Sequence, residues 1–176
     1  MIRRIVVTGS ECTGKSTLAA ALATHYGTVW SPEYVREFVA GRKEPVRAED
    51  VEAIAKRQMQ VQDALAGRSD RLLIHDTDLL STAVYSRHYF GDCPAWIEDE
   101  VRRREADLYL LAGIDVPWEA DGDQRDRGDR RDEMHALFRD ALSRRGFSFV
   151  ELSGPHERRL ETAICSIDGI LGGPSL

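Results

Sequence analysis

Cysteine is scarce in this chain, and long apolar runs are missing. Cys12, Cys93 and Cys165 are its three cysteines in 176 residues, an odd number set far apart and without metal-ligand spacing. That argues against a disulfide framework and for a reducing compartment, with the cytoplasm as the expected location. The opening MIRRIVVTG holds an apolar run of three residues, Ile5, Val6 and Val7, too short for a secretory signal. No later run approaches the length of a membrane span. Basic residues are also in deficit, 24 against 30 acidic ones for a formal net charge of -6. General binding to nucleic acid or an anionic membrane is therefore not expected, although a local basic site for a phosphate compound is compatible with that balance. Internal repeats and interdomain linkers are lacking too, and only the terminal GGPSL reads as frayed.

What the chain does have is enough apolar residue, 42%, to build one domain over 1–176. Short apolar runs bounded by turn residues predict strands at Ile5 to Thr8, Thr28 to Trp30, Leu72 to Ile74, Leu108 to Leu111 and Phe147 to Leu152. Helical patterns lie between them: Lys15 to Tyr26, Tyr34 to Ala40, Ala48 to Ala66, Leu79 to Tyr89, Pro94 to Arg104, Arg131 to Arg144 and Pro155 to Leu171. In the third, Val51, Ile54, Ala55, Met59, Gln62 and Leu65 recur at three- and four-residue spacing and form one core-facing stripe. Such alternation predicts an α/β fold of three layers, a five-stranded parallel sheet with helices on both faces. Ligands are then expected at the carboxyl ends of the strands.

The stretch IVVTGSECTGKSTL carries the strongest chemical signal. Gly9, Gly14, Lys15 and Ser16 fit G-x-x-x-x-G-K-[ST], between a predicted strand and a predicted helix. The glycines let the backbone of Gly9, Glu11, Cys12, Thr13 and Gly14 turn its amides inward, and the helix start adds its positive end. That makes a cradle for a di- or triphosphate such as ATP and predicts a P-loop NTPase. Lys15 would reach the outer phosphates, the Ser16 hydroxyl would ligate Mg2+, and Thr17 would support the first helical turn. A glycine-rich turn with an incidental lysine is the bland alternative.

Three further strand ends carry unusual residues: SPEYVREF, HDTD and PWEADGDQRDRGDRRD. In LLIHDTD, Asp76 stands where a carboxylate holds a magnesium ion and its waters. Asp78 would face the same side if the extended conformation continued, or would cap the next helix. His75 lacks metal spacing to His25, His88, His135 or His156 and reads as a packed or solvent-facing histidine.

GSECTGKSTL, PEYVREF, DTD and PWEADGDQR...DRRDEM, in that order, resemble the ribosylnicotinamide kinase domain of NadR-type NAD-biosynthesis proteins over nearly the whole chain. The resemblance implies Mg-ATP-dependent phosphorylation of nicotinamide riboside to nicotinamide mononucleotide. Two features depart from it. An H-x-G-H nucleotidyltransferase motif is missing, as are the other domains of the full-length proteins, so no adenylyltransferase or repressor role is expected. Cys12 also stands where a small hydroxyl residue is usual, a neutral change for a loop that binds through its backbone.

By the same resemblance, Glu33 is the carboxylate that takes the acceptor hydroxyl's proton, with Asp78 as its competitor. Arg36 contacts phosphate or acceptor, or else pairs with a neighbouring Glu. Tyr34 and Trp118 stack on the substrate's ring or belong to the core, and Asp121 lies on the substrate side. Residues 119–132 hold six acidic residues and four arginines around two glycines. They form either a solvated loop or, at about 117–131, a lid bringing Arg125, Arg127 or Arg130 to the transferring phosphoryl group. Gly154 and Pro155 would border the adenine. Two other readings stay open: a kinase of another nucleoside-like or vitamin-like molecule, and a nucleotide-binding regulatory NTPase. The lack of N-K-x-D, which specifies guanine, weakens the second.

Overall fold

The structure is a computed structural model, and it describes residues 2–116 and 130–172. Five strands form one parallel sheet: β1 Arg3–Thr8, β2 Trp30–Ser31, β3 Leu72–Asp76, β4 Leu108–Ala112 and β5 Phe149–Leu152, in the order β2-β3-β1-β4-β5. Seven helices lie among the described residues: α1 Lys15–Tyr26, α2 Tyr34–Val39, α3 Val51–Ala66, α4 Leu79–Phe90, α5 Ala95–Arg103, α6 Arg131–Arg145 and α7 His156–Leu171. The registers Val7↔Asp76 and Val7↔Leu110 put β1 at the centre, with its carboxyl end level with those of its neighbours.

The period-2 alternation of the strands splits the core in two. Ile5, Val7, Ile74, Leu108 and Leu110 face one way and pack with Leu18 and Leu22 of α1 and Ala163 and Ile167 of α7. Val6, Tyr109 and Leu111 face the other way, against residues of α3, α4, α5 and α6 such as Ala55, Leu80, Ile97 and Phe138. Each fully buried aliphatic side chain adds about 1.5–3 kcal/mol to folding. The expected three-layer architecture is therefore what forms.

The boundaries differ from expectation where caps compete with the sheet. Thr28 was expected in β2, but its amide donates to the carbonyl of Ala23 at 2.9 Å, closing α1, so β2 starts at Trp30. Phe147 likewise donates to Leu142 at 3.2 Å to close α6, and β5 starts at Phe149. At the start of α3, residues Ala48–Asp50 form a separate 3-10 turn, with Asp50 accepting the Arg47 amide at 2.9 Å. The third strand runs two residues further than expected, to Asp76.

Among the described residues no helix is long and apolar enough to cross a membrane, and no cluster of three His, Cys, Asp or Glu could hold a metal ion.

Candidate active site

The loop between β1 and α1 is shaped by its backbone. Gly9 has φ +126°, and a Cβ there would meet the Ala112 carbonyl oxygen at 3.0 Å, because the loop crosses the end of β4 closely. Gly14 (φ +79°) precedes α1, and Cys12 (φ +52°) takes the left-handed conformation without being glycine. A side chain there is uncommon, and a departure from the usual loop residue therefore sits at a demanding position. Thr13 Oγ1 donates to the Ser10 carbonyl at 2.8 Å, and Lys15 Nζ donates to the same oxygen at 2.7 Å. The helix start behind this loop supplies free amides and a positive end, the ordinary basis of an anion site. Thr17 is exposed on the first turn, and Glu11 is half-buried beside Lys15.

Lys15 is buried. Loss of hydration pushes its pKa below the ordinary value, while the charges of Glu33, Asp76 and Glu11 act to raise it. A lysine held in this way suits an anion that will restore its charge balance. Asp76, at the tip of β3, accepts from Ser16 Oγ at 2.5 Å through Oδ2. Burial pushes its pKa up, and Glu33's charge adds to this against the Ser16 hydrogen bond. Its Oδ1 is buried and has no hydrogen-bond partner among the described residues, a condition that costs free energy unless a ligand supplies the partner. A buried carboxylate oxygen beside a serine hydroxyl is a donor set of the kind magnesium takes, so these residues fit that ion.

Glu33 lies buried between β2 and the start of α2, where Arg36 Nε pairs with its Oε2 at 3.1 Å. The pairing of Arg36 with a neighbouring Glu, one of its two expected roles, is present. Tyr34 is half-buried, its ring 6.0 Å from the Arg57 guanidinium carbon and 6.3 Å from the Phe38 ring. The mutual influence of Lys15, Glu33, Asp76 and Arg36 marks one electrostatic cluster at the carboxyl ends of three adjacent strands.

Asp78 belongs elsewhere. The extended conformation does not continue past Asp76, because Thr77 takes φ +62°. Asp78 instead caps α4, accepting the Leu80 amide at 3.0 Å, and its Oδ2 accepts from Tyr109 Oη at 3.1 Å. Burial pushes its pKa up to about 6. The cap reading of Asp78 is thus realised, on the sheet face carrying Val6 and Tyr109. His75 is packed: its Nδ1 lies 2.7 Å from Ser31 Oγ, and burial lowers its pKa to about 3, leaving it neutral.

Arg159 and Asp115 join this rim, and sequence patterning gave no sign of them. Arg159 is buried in α7, and its guanidinium donates to Gly154 O at 2.7 Å, Thr13 O at 3.2 Å and Gly113 O at 3.1 Å while pairing with Asp115. Asp115 Oδ2 also accepts the Gly154 amide at 2.5 Å. Burial would raise its pKa, but the Gly154 amide and Arg159 outweigh this and hold it below the ordinary carboxylate value. The amide and carbonyl of Gly154 are thereby engaged within the protein, and the Pro155 carbonyl accepts the Arg159 amide at 3.1 Å. Arg130 is exposed, 4.0 Å from Glu133. Trp118, Asp121, Arg125 and Arg127, with most of the expected lid, lie outside the described residues, as does the terminal 173–176.

A phosphate loop after the central strand of a 2-3-1-4-5 parallel sheet, with an acidic residue at the neighbouring strand tip, defines a P-loop nucleotide-binding domain. Residues 4–159 match the family model described as an AAA domain, and the chain belongs to that family. It is similar to the trifunctional NAD biosynthesis/regulator protein NadR of Escherichia coli (strain K12), 27% identical over 157 residues, 86% of this chain and 38% of that protein. The chain therefore spans little over a third of that relative. Its fold matches a NadR protein solved in complex with NR (TM-score 0.84, 22% identity, 98% of this chain and 52% of that one). A NadR protein solved with NAD and AMP-PNP matches at TM-score 0.81 and 22% identity, over 99% of this chain and 51% of that one. The resemblance to NadR-type proteins seen in the sequence is borne out by these matches.

Proposed function

We propose that this chain is a kinase that transfers the γ-phosphoryl group of ATP to the ribose 5'-hydroxyl of nicotinamide riboside, giving nicotinamide mononucleotide. The observation that carries the reading is the single cluster of Lys15, Asp76 and the acceptor-side Glu33 along one edge of the sheet. A regulatory NTPase has use for the first two, whereas a buried carboxylate at the end of β2 suits a second substrate. Similarity to NadR, of which homologues were solved with NR and with AMP-PNP, supports the choice of acceptor and donor.

In this mechanism the loop amides and the α1 terminus bind the β- and γ-phosphates, and Lys15 leaves the Ser10 carbonyl to reach them. Ser16 and Asp76 Oδ1 would hold magnesium, which when bound offsets the negative charge of the phosphate oxygens. Glu33, oriented by its ion pair with Arg36, accepts a hydrogen bond from the acceptor hydroxyl and takes its proton late, because the loose transition state demands little early deprotonation. The partners are small molecules, and the setting is the cytoplasm.

The test is ADP release from Mg-ATP with nicotinamide riboside, nicotinic acid riboside, ordinary nucleosides and no acceptor in parallel. Release that depends on nicotinamide riboside supports the proposal. Release of equal rate without any acceptor overturns it in favour of an NTPase, and release with another nucleoside alone reassigns the substrate.

A further inference from the structure

Two glutamines on the buried side of α3 reach the two turns that carry the site's carboxylates. Gln58 is 2% exposed and Gln62 7%. The Oε1 of Gln58 accepts the Tyr34 amide at 2.7 Å, and its Nε2 donates to the Pro32 carbonyl at 3.3 Å. One planar amide therefore grips the backbone on both sides of Glu33. A helical turn later, Gln62 Nε2 donates to the Thr77 carbonyl at 3.3 Å. Thr77 follows Asp76 directly and holds φ +62°.

Packing alone does not account for these residues. Val51, Ile54 and Ala55 fill the same stripe with apolar groups, and an apolar residue at 58 or 62 would avoid the cost of burying an amide. Glutamine offers a donor and an acceptor in one rigid plane, which suits a clamp on two peptide groups. Some such device is needed, because β2 is only two residues long and its pairing with β3 ends at Ser31↔His75, before Glu33. Residues four apart on a helix stand one above the other about 6 Å apart, so α3 spans from the Glu33 turn to the Asp76 turn.

We propose that Gln58 and Gln62 are positioning residues that fix the spacing between Glu33 and Asp76, Gln58 by holding Glu33 in place for the acceptor hydroxyl. The proposal rests on the reading of Glu33 given above. Neither glutamine touches the reacting atoms.

The full chain is compared with its Gln58→Met, Gln62→Met and double variants. Gln58→Met is expected to lower kcat with nicotinamide riboside by about tenfold or more while the ATP Kd from calorimetry stays within about twofold. The Tyr34 amide, followed by NMR, should exchange with solvent about tenfold faster or more, while β1 amides keep their protection. The double variant should lose less than the product of the two single losses, since both act on one spacing. An unchanged kcat, a multiplicative double, or a parallel fall of kcat, ATP affinity and Tm overturns the proposal. A wild type without activity on nicotinamide riboside ends the proposed function instead. The Tyr34 exchange rate then still decides the clamp, and unchanged exchange in Gln58→Met overturns it.

Discussion

Ser16 and Asp76, 60 residues apart in sequence, meet through a 2.5 Å hydrogen bond that leaves the second oxygen of Asp76 buried and without a partner among the described residues. This pair ties the phosphate loop to the tip of β3. Because burial raises the Asp76 pKa, the folded protein disfavours the ionised form, and the stability cost grows as pH rises from the ordinary value of 3.8 through the raised one. Asp76→Asn is therefore expected to keep or raise the Tm of the unliganded protein at pH 7 while lowering turnover by about 10²-fold. Thermal melts and steady-state rates on one preparation check both.

Lys15 follows the same logic with the opposite charge. Its lowered pKa means that the folded state disfavours the ammonium form, so stability falls as pH drops through the folded value. Lys15→Met keeps the stem and removes the charge. Turnover should fall by about 10²-fold or more, and the Tm without nucleotide should not fall. A large loss of Tm would mean that Lys15 is held for folding rather than for phosphate.

Glu33 and Asp78 can be separated by their amides. Glu33→Gln should reduce turnover by about tenfold, or 1.4 kcal/mol of barrier. Asp78→Asn keeps a good helix cap and should leave turnover within about threefold. Asp78 protonates in the folded state near 6, so between 3.8 and about 6 the wild type gains stability as pH falls. Melting curves of Asp78→Asn across that window should be flatter than those of the wild type.

Arg159 holds the phosphate loop, the end of β4 and Gly154 together. A lysine cannot match that fan of donors. Arg159→Lys is expected to cost about 2–3 kcal/mol of stability and to weaken ATP binding by about tenfold, as the Thr13 carbonyl loses its anchor. Denaturant titration and calorimetry measure the two effects. Unchanged ATP affinity would confine Arg159 to folding.

Much of this was legible in local sequence. The Gly9-to-Ser16 spacing announces its loop because backbone conformation and phosphate chemistry restrict those positions together. Helix α1 falls where its pattern places it, Lys15–Tyr26, since both ends are marked by glycines. Strand ends were less legible, because the closing amides of Thr28 and Phe147 are tertiary choices between a cap and a ladder. The turn at Thr77 was hidden, as nothing in D-T-D announces a positive φ. Arg159 and Asp115 are common residue types that meet only in the fold. Gln58 did leave a trace: it stands four residues after Ile54 and three after Ala55, a polar residue on an apolar stripe.

Transfer to a ribose hydroxyl is read most plainly from the product itself. Nicotinamide riboside and Mg-ATP are incubated with the chain, the product mass is taken, and the phosphorus–proton coupling in NMR locates the new phosphate. Nicotinamide mononucleotide with phosphate on the 5' oxygen is expected, formed in equal amount to ADP. Free phosphate with unaltered riboside would overturn kinase activity on this acceptor.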